Sequence, residues 1–373
     1  MKFEILHSSS KSRARVGRIH TPHGIIDTPN FVAVGTNGTL KALDNKTVQE
    51  IGLQLMFCNT YHLLLQPGTE IVREGGGIHN FINRQLPIIT DSGGFQVFSL
   101  AYGSVANELK SRGTKKTDGT VLKITEEGVL FRSYRDGKKI LLTPESSIEA
   151  QKNLGADIII PFDELPPYHI DREVLVKSLE RTHRWEERSL QAHLKNPQNQ
   201  AMYAVIHGGV DADLRQKSCE VLTNLPFDGF AIGGSMGKTK DEMIGMLTAM
   251  MPLLPREKPN HLLGIGDLES ITGCIPLGID TFDSSYPTRA ARHGMALTGT
   301  GPLNLTKGEY GSRFEPIQKG CSCSTCAHFT MAYINHLFKA REMTALTLTT
   351  IHNLHFMVEL MRRYREAIAA DLL

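Results

Sequence analysis

No segment of the 373 residues approaches the roughly 18 consecutive apolar residues of a membrane-spanning helix. The opening Met1-Lys-Phe-Glu-Ile5 also lacks the apolar core of a secretory leader, so a soluble, cytoplasmic protein is expected. An excess of either charge is missing as well. With 41 Lys+Arg against 39 Asp+Glu, any nucleic-acid binding must come from a local patch. Cysteine is scarce, and six in a chain this long do not make a disulfide scaffold. Cys58, Cys219 and Cys274 are scattered and read as small core residues, whereas Cys321, Cys323 and Cys326 lie within six positions and need their own explanation.

What is present is alternation. Short runs rich in Ile, Val and Phe recur at Phe31–Val34, Leu53–Cys58, Leu86–Thr90, Ala156–Ile160, Met202–Ile206, Gly229–Ile232, His261–Gly264 and Ile279–Phe282. Each has the length and composition of a strand buried on both faces. Helical stretches lie between them at Asp44–Ile51, Pro144–Leu154, Arg172–His193, Asp211–Leu222, Thr239–Met251 and Asp267–Cys274. Eight such units in about 260 residues predict an α/β fold, a (β/α)8 TIM barrel, with a doubly wound sheet as the alternative. The expected organisation is an N-terminal cap over 1–30, with a turn at His23-Gly24, and the barrel over 31–298. An antiparallel ribbon is expected within an insertion at about 101–143, from Val121–Thr125, Gly128–Arg135 and the hairpin signal Asp136-Gly137. Lys110, Arg112, Lys115 and Lys116 in that insertion read as a solvated charge run with phosphate contact as the alternative.

Barrel chemistry belongs at the C-terminal ends of strands. There the chain carries Asp91-Ser-Gly-Gly-Phe-Gln96, Pro161-Phe-Asp-Glu164, His207-Gly-Gly209, Gly233-Gly-Ser235 and Asp283, the last followed by a proline-broken loop with Arg289 and Arg292. Any one of these could be an ordinary turn. Five at one face suit a flat ligand approached by glycine backbone and read by Asp acceptors, beside a site for an anionic substrate.

After the eighth strand, Cys321-Ser-Cys-Ser-Thr-Cys326 and His352 offer three thiolates and an imidazole, the ligand set of a closed tetrahedral zinc site. His328 and His355 are alternative fourth ligands, and a redox cluster or free thiols are competing readings. A zinc-binding subdomain is therefore expected over 299–350, before a last helix over 351–373 that Thr350–His355 opens.

Asn59-Thr-Tyr-His-Leu63, Asp91-Ser-Gly-Gly-Phe-Gln-Val-Phe-Ser-Leu100, Phe282-Asp-Ser-Ser-Tyr-Pro-Thr-Arg289 and the Cys3His group, in this order, resemble the tRNA-guanine transglycosylases, or queuine tRNA-ribosyltransferases, from about residue 13 to 365. The resemblance implies exchange of the wobble guanine of tRNAs for Asn, Asp, His and Tyr with a free 7-deazaguanine. It implies Asp283 as nucleophile and Asp91 as general acid/base. Asp163 and Gly234 would read the base, Phe95 and Leu263 would sandwich it, and Asn59 would lie near it and the ribose. Arg289 and Arg292 would hold anticodon-loop nucleotides. His352 is favoured as the fourth ligand of a structural zinc, and a homodimer is implied.

Around the base's 7-substituent the chain departs from the usual bacterial pattern. His207 stands where Gln is usual and Leu165 where Cys or Val is. Gly233-Gly-Ser-Met-Gly-Lys238 replaces Gly-Gly-Leu-Ala-Val-Gly-Glu. Ser235 and Gly237 offer room and lean the expectation to queuine; Leu165 and Met236 favour the 7-aminomethyl precursor. Two other readings are a non-catalytic tRNA-binding partner subunit, against which both Asp91 and Asp283 speak, and a barrel enzyme acting on a free nucleoside.

Overall fold

The computed structural model describes residues 1–102 and 121–373, with the side chains of 99–102 left aside. Lys110, Arg112, Lys115 and Lys116 lie outside the described residues. The chain opens with β1 (Lys2–Ser8), β2 (Arg15–Thr21) and β3 (Gly24–Thr28), an antiparallel sheet. Then come β4 (Asn30–Val34), β5 (Met56–Cys58) and β6 (Ile88–Thr90), followed by the ribbon β7 (Val121–Ile124), β8 (Val129–Arg132) and β9 (Lys139–Leu142). Last are β10 (Ile158–Ile159), β11 (Ala201–Ile206), β12 (Gly229–Ile232), β13 (Asn260–Leu262) and β14 (Thr281–Ser284). Strands β4, β5, β6 and β10 to β14 pair in parallel and close into an eight-stranded barrel, the fold the alternation predicts.

Side chains alternate across the barrel wall as strand geometry demands. Val32, Phe57, Ile89, Ile158, Tyr203, Val205 and Ala231 fill the interior, while Phe31, Ala33, Met202, Ala204, Phe230, Ile232 and Phe282 pack outward against the helices. This parity turns Asp283, beside the outward-packed Phe282, to the interior. The N-terminal sheet contributes Ile19 and Ile26, both fully buried, to the interior cluster.

Three acids sit just before strands at the N-terminal end and accept from amides in the first two residues of neighbouring strands. Asp157 accepts from Ile88 N–H at 2.9 Å, Asp228 from Met202 N–H at 2.9 Å and Asp280 from Asn260 N–H at 2.8 Å. Two are also tied to the flanking sheet and loops. Arg15 makes a buried bidentate pair with Asp280 at 2.9 and 2.6 Å. His23 Nδ1 and His79 Nε2 meet the two oxygens of Asp157 at 2.8 and 3.0 Å, their rings stacked 3.5 Å apart.

Four local expectations change. The first thirty residues, expected only as a cap with a turn at His23-Gly24, include a regular three-stranded sheet. The ribbon has a third strand, β9, which the turn at Gly137 returns to β8. Arg289 and Arg292 lie on a short helix, Tyr286–Arg292, directly after β14. Its second residue is Pro287, where a missing N–H costs nothing, so the proline starts a helix instead of breaking a loop. The last helix spans Met343–Ala369, seven residues earlier than Thr350, so His352 projects from its interior.

Candidate active site

Asp91 leaves the end of β6 and is held by three donors: Thr60 N–H at 2.8 Å on Oδ1, and Asn59 Nδ2 and Gln96 Nε2, each at 2.7 Å, on Oδ2. Burial outweighs these donors and pushes the Asp91 carboxyl up to about 6. It is thus poised to carry or release a proton near neutral pH, the requirement for acid/base work.

Asp163 follows β10. Ser92 Oγ donates to its Oδ1 at 2.9 Å, and His207 Nε2, at the end of β11, lies 2.8 Å from its Oδ2. Backbone packs closely around this acid. A Cβ on Gly94 would stand 2.7 Å from the Asp163 carbonyl. Gly234, after β12, has φ +80°, and a Cβ there would stand 2.9 Å from His207 Nδ1. Ser235 is adjacent, and Leu263, just past β13, packs against the barrel interior. Phe95 is the second residue of the helix Gly94–Tyr102 and is 46% exposed, an open aromatic face at the site.

Asp283 ends the interior row of β14. Its Oδ1 accepts from Gly264 N–H at 2.7 Å and meets His261 Nε2 at 3.0 Å. Beyond it, Arg289 is exposed and Arg292 half-buried. Burial, and secondarily the neighbouring Arg289, lower the Arg292 pKa.

Three supporting residues had no role assigned from sequence. His261 and Gln96 fasten the two carboxylates. Arg215, 1% exposed, donates to the carbonyls of Ile206, Gly209 and Ser235 at 2.6, 2.8 and 3.1 Å, joining the turns after β11 and β12. Only the facing of His261 could have been read: period-two counting along its strand puts it on the interior face with Leu263, without showing what it touches. Asn59, expected near base and ribose, spends its amide on Asp91.

The Cys3His set also assembles. His352 Nδ1 lies 3.3, 3.6 and 3.8 Å from the sulfurs of Cys326, Cys323 and Cys321, close to the roughly 3.5 Å N···S edge of a tetrahedral zinc centre. Its Nε2–H donates to the Leu297 carbonyl at 2.8 Å, leaving Nδ1 as the ligand atom. These four residues could hold a metal ion. His355 instead meets Ser322 Oγ at 3.2 Å, and His328 is not in the group.

Carboxylates, close-packed glycines and an aromatic face gathered at one end of eight parallel strands, with a Cys3His centre appended, define a (β/α)8-barrel enzyme. Sequence comparison narrows the class. Residues 9–373 match the family described as "Queuine tRNA-ribosyltransferase", and the chain belongs to it, a tRNA-guanine transglycosylase. It is 75% identical to the queuine tRNA-ribosyltransferase of Protochlamydia amoebophila, over the whole chain and 96% of that relative. It is 53% and 55% identical to those of Chlamydia caviae and Chlamydia trachomatis serovar D, over the whole chain and 99% of each. Among the described residues no helix is long and apolar enough to cross a membrane.

Proposed function

We propose that this chain replaces the wobble guanine in the anticodon of tRNAs for Asn, Asp, His and Tyr with a 7-deazaguanine, queuine in preference to its 7-aminomethyl precursor. The reaction is a double displacement. An Asp283 oxygen bonds to ribose C1′ as the bond from C1′ to guanine N9 breaks, and the electron pair leaves with the base. Asp91 supplies the proton that guanine carries away, then takes the N9 proton of the incoming base. That base attacks C1′ and displaces the carboxylate, so two inversions restore the original configuration. Asp163 and the Gly234 backbone read the base edge, and Phe95 and Leu263 replace the stacking lost when it leaves the anticodon. Arg289 and Arg292 hold flanking nucleotides. Cys321, Cys323, Cys326 and His352 would bind zinc, which with four protein ligands braces the subdomain and has no open position for chemistry. The active form is a homodimer.

The observation carrying this reading is the pair of buried acids at the ends of β6 and β14, each fixed by its own donors, with the Asp163–His207 pair at the same end of the barrel. The preference for queuine is supported by a cavity of about 180 Å³ lined by Tyr168, His207, Gly234, Ser235, Leu175 and Leu179. It starts at the base-reading turns and is far larger than an aminomethyl group fills. Competing each unlabelled base against radiolabelled guanine already in tRNA tests the choice; preferential release by the aminomethyl base would overturn it.

A further inference from the structure

Asp283 is held asymmetrically. Both of its donors, His261 Nε2 at 3.0 Å and Gly264 N–H at 2.7 Å, converge on Oδ1, and among the described residues Oδ2 receives none. His261 is fully buried within the barrel wall, its ring stacked on Phe57 at 6.0 Å between centroids. Its second nitrogen, Nδ1, lies 2.8 Å from Thr281 Oγ1. An ionised carboxylate only accepts, so the bond to Asp283 requires a proton on Nε2, while the Thr281 hydroxyl beside Nδ1 donates to the Asn260 carbonyl at 3.1 Å and fixes that end of the ring.

We propose that His261 is a positioning residue for the base exchange, and that Oδ2 of Asp283 is the oxygen that bonds to ribose C1′. The proposal rests on the covalent reading given above. Two fixed donors on Oδ1 lock the carboxylate's rotation and hold Oδ2 out as the free nucleophilic edge. When the bond from Oδ2 to C1′ forms and that from C1′ to N9 breaks, the resulting ester carries its carbonyl on Oδ1, where the two donors already point. In the return step they receive the restored charge as the ester C–O bond opens. His261 gives up no proton in either direction. Its role is geometric and electrostatic, and it is exerted through Asp283.

The test compares His261→Leu, which keeps apolar bulk and loses the donor, with His261→Gln, which offers an amide N–H in its place. Single-turnover formation of the covalent tRNA adduct is followed, with KM for tRNA, thermal midpoint and metal content as parallel readouts. Expected is a tenfold or greater fall in adduct formation for His261→Leu, KM for tRNA unchanged, and substantial recovery in His261→Gln at equal thermal midpoints. If His261→Leu forms adduct as fast as the parent, or if His261→Gln is equally slow while equally stable, the positioning role is overturned. Absence of an adduct in the parent chain would instead bring down the covalent reading itself, and this inference with it.

Discussion

His207 Nε2 and Asp163 Oδ2 stand 2.8 Å apart, joining the ends of two adjacent barrel strands through side chains that are 4% and 14% exposed. With Ser92 on the other oxygen, the acid proposed to read the base has little freedom to turn. Removing the imidazole by His207→Ala should therefore weaken binding of the free base by tenfold or more, the worth of about 1.5 kcal/mol for a hydrogen bond to a charged group. His207→Gln, able to donate again, should recover most of it. KM for the free base, measured with tRNA saturating, checks both.

With Asp91 as the proposed acid and base, the two halves of the exchange should respond to pH in opposite directions. Because burial raises its pKa to about 6, the acid form, which would protonate departing guanine, is lost as pH rises through that value. Adduct formation should slow over the window, while attack by the incoming base, which needs the carboxylate, should accelerate. Single-turnover measurements of each half-reaction between pH 5 and 8 separate them, and Asp91→Asn should abolish both limbs. A carboxyl raised above its unfolded value of about 3.9 favours folding when protonated, so this group's stabilising contribution is lost as pH rises through about 6. Asp91→Asn should be at least as stable as the parent at pH 8, read from urea midpoints.

At the opposite end of the barrel, Asp157 behaves in the reverse sense. Burial alone would raise its pKa, but hydrogen bonds from His79 and the Ile88 N–H bring it below the ordinary value. Its contribution is present above the unfolded carboxyl pKa and is lost as pH falls through the lower folded one. Asp157→Asn strips His23 and His79 of their charged partner. It should cost on the order of 3 kcal/mol at neutral pH, with a smaller difference from the parent in strong acid. Urea titrations at two pH values check the trend.

The Cys3His centre should behave as a structural metal site. Cys323→Ala is expected to lose about one equivalent of bound zinc and to lower the thermal midpoint clearly, because ligand and folding free energies are coupled. Metal analysis and calorimetry on the same samples measure the two losses together.

The barrel was legible because burial on both faces makes each strand a short apolar run that helical stretches separate, and eight of these runs became the eight parallel strands. Asp91, Asp163 and Asp283 were legible as strand-end acids. Less accessible were features that depend on what lies across the fold. Nothing local says that Asn59 turns to Asp91, that Arg215 binds three carbonyls, or that His261 reaches the next strand. The short helix after β14 was missed because Pro287 was read as a breaker, when at the second helical position it is tolerated. The three-stranded N-terminal sheet was hidden because its polarity does not alternate cleanly: Ile19 and Ile26 are buried along with the charged Arg15, while Ile5, Leu6 and Ile25 are exposed.

The central claim is that Asp283 carries the ribosyl group between bases. The most direct measurement is denaturing electrophoresis and intact mass of the parent chain and Asp283→Asn after incubation with guanine-containing tRNA, quenched before a second base is added. The account predicts a tRNA-protein adduct in the parent, mapped to Asp283 and chased by added 7-deazaguanine, and none in the variant. An adduct that forms undiminished in Asp283→Asn, or efficient exchange by that variant, would contradict it.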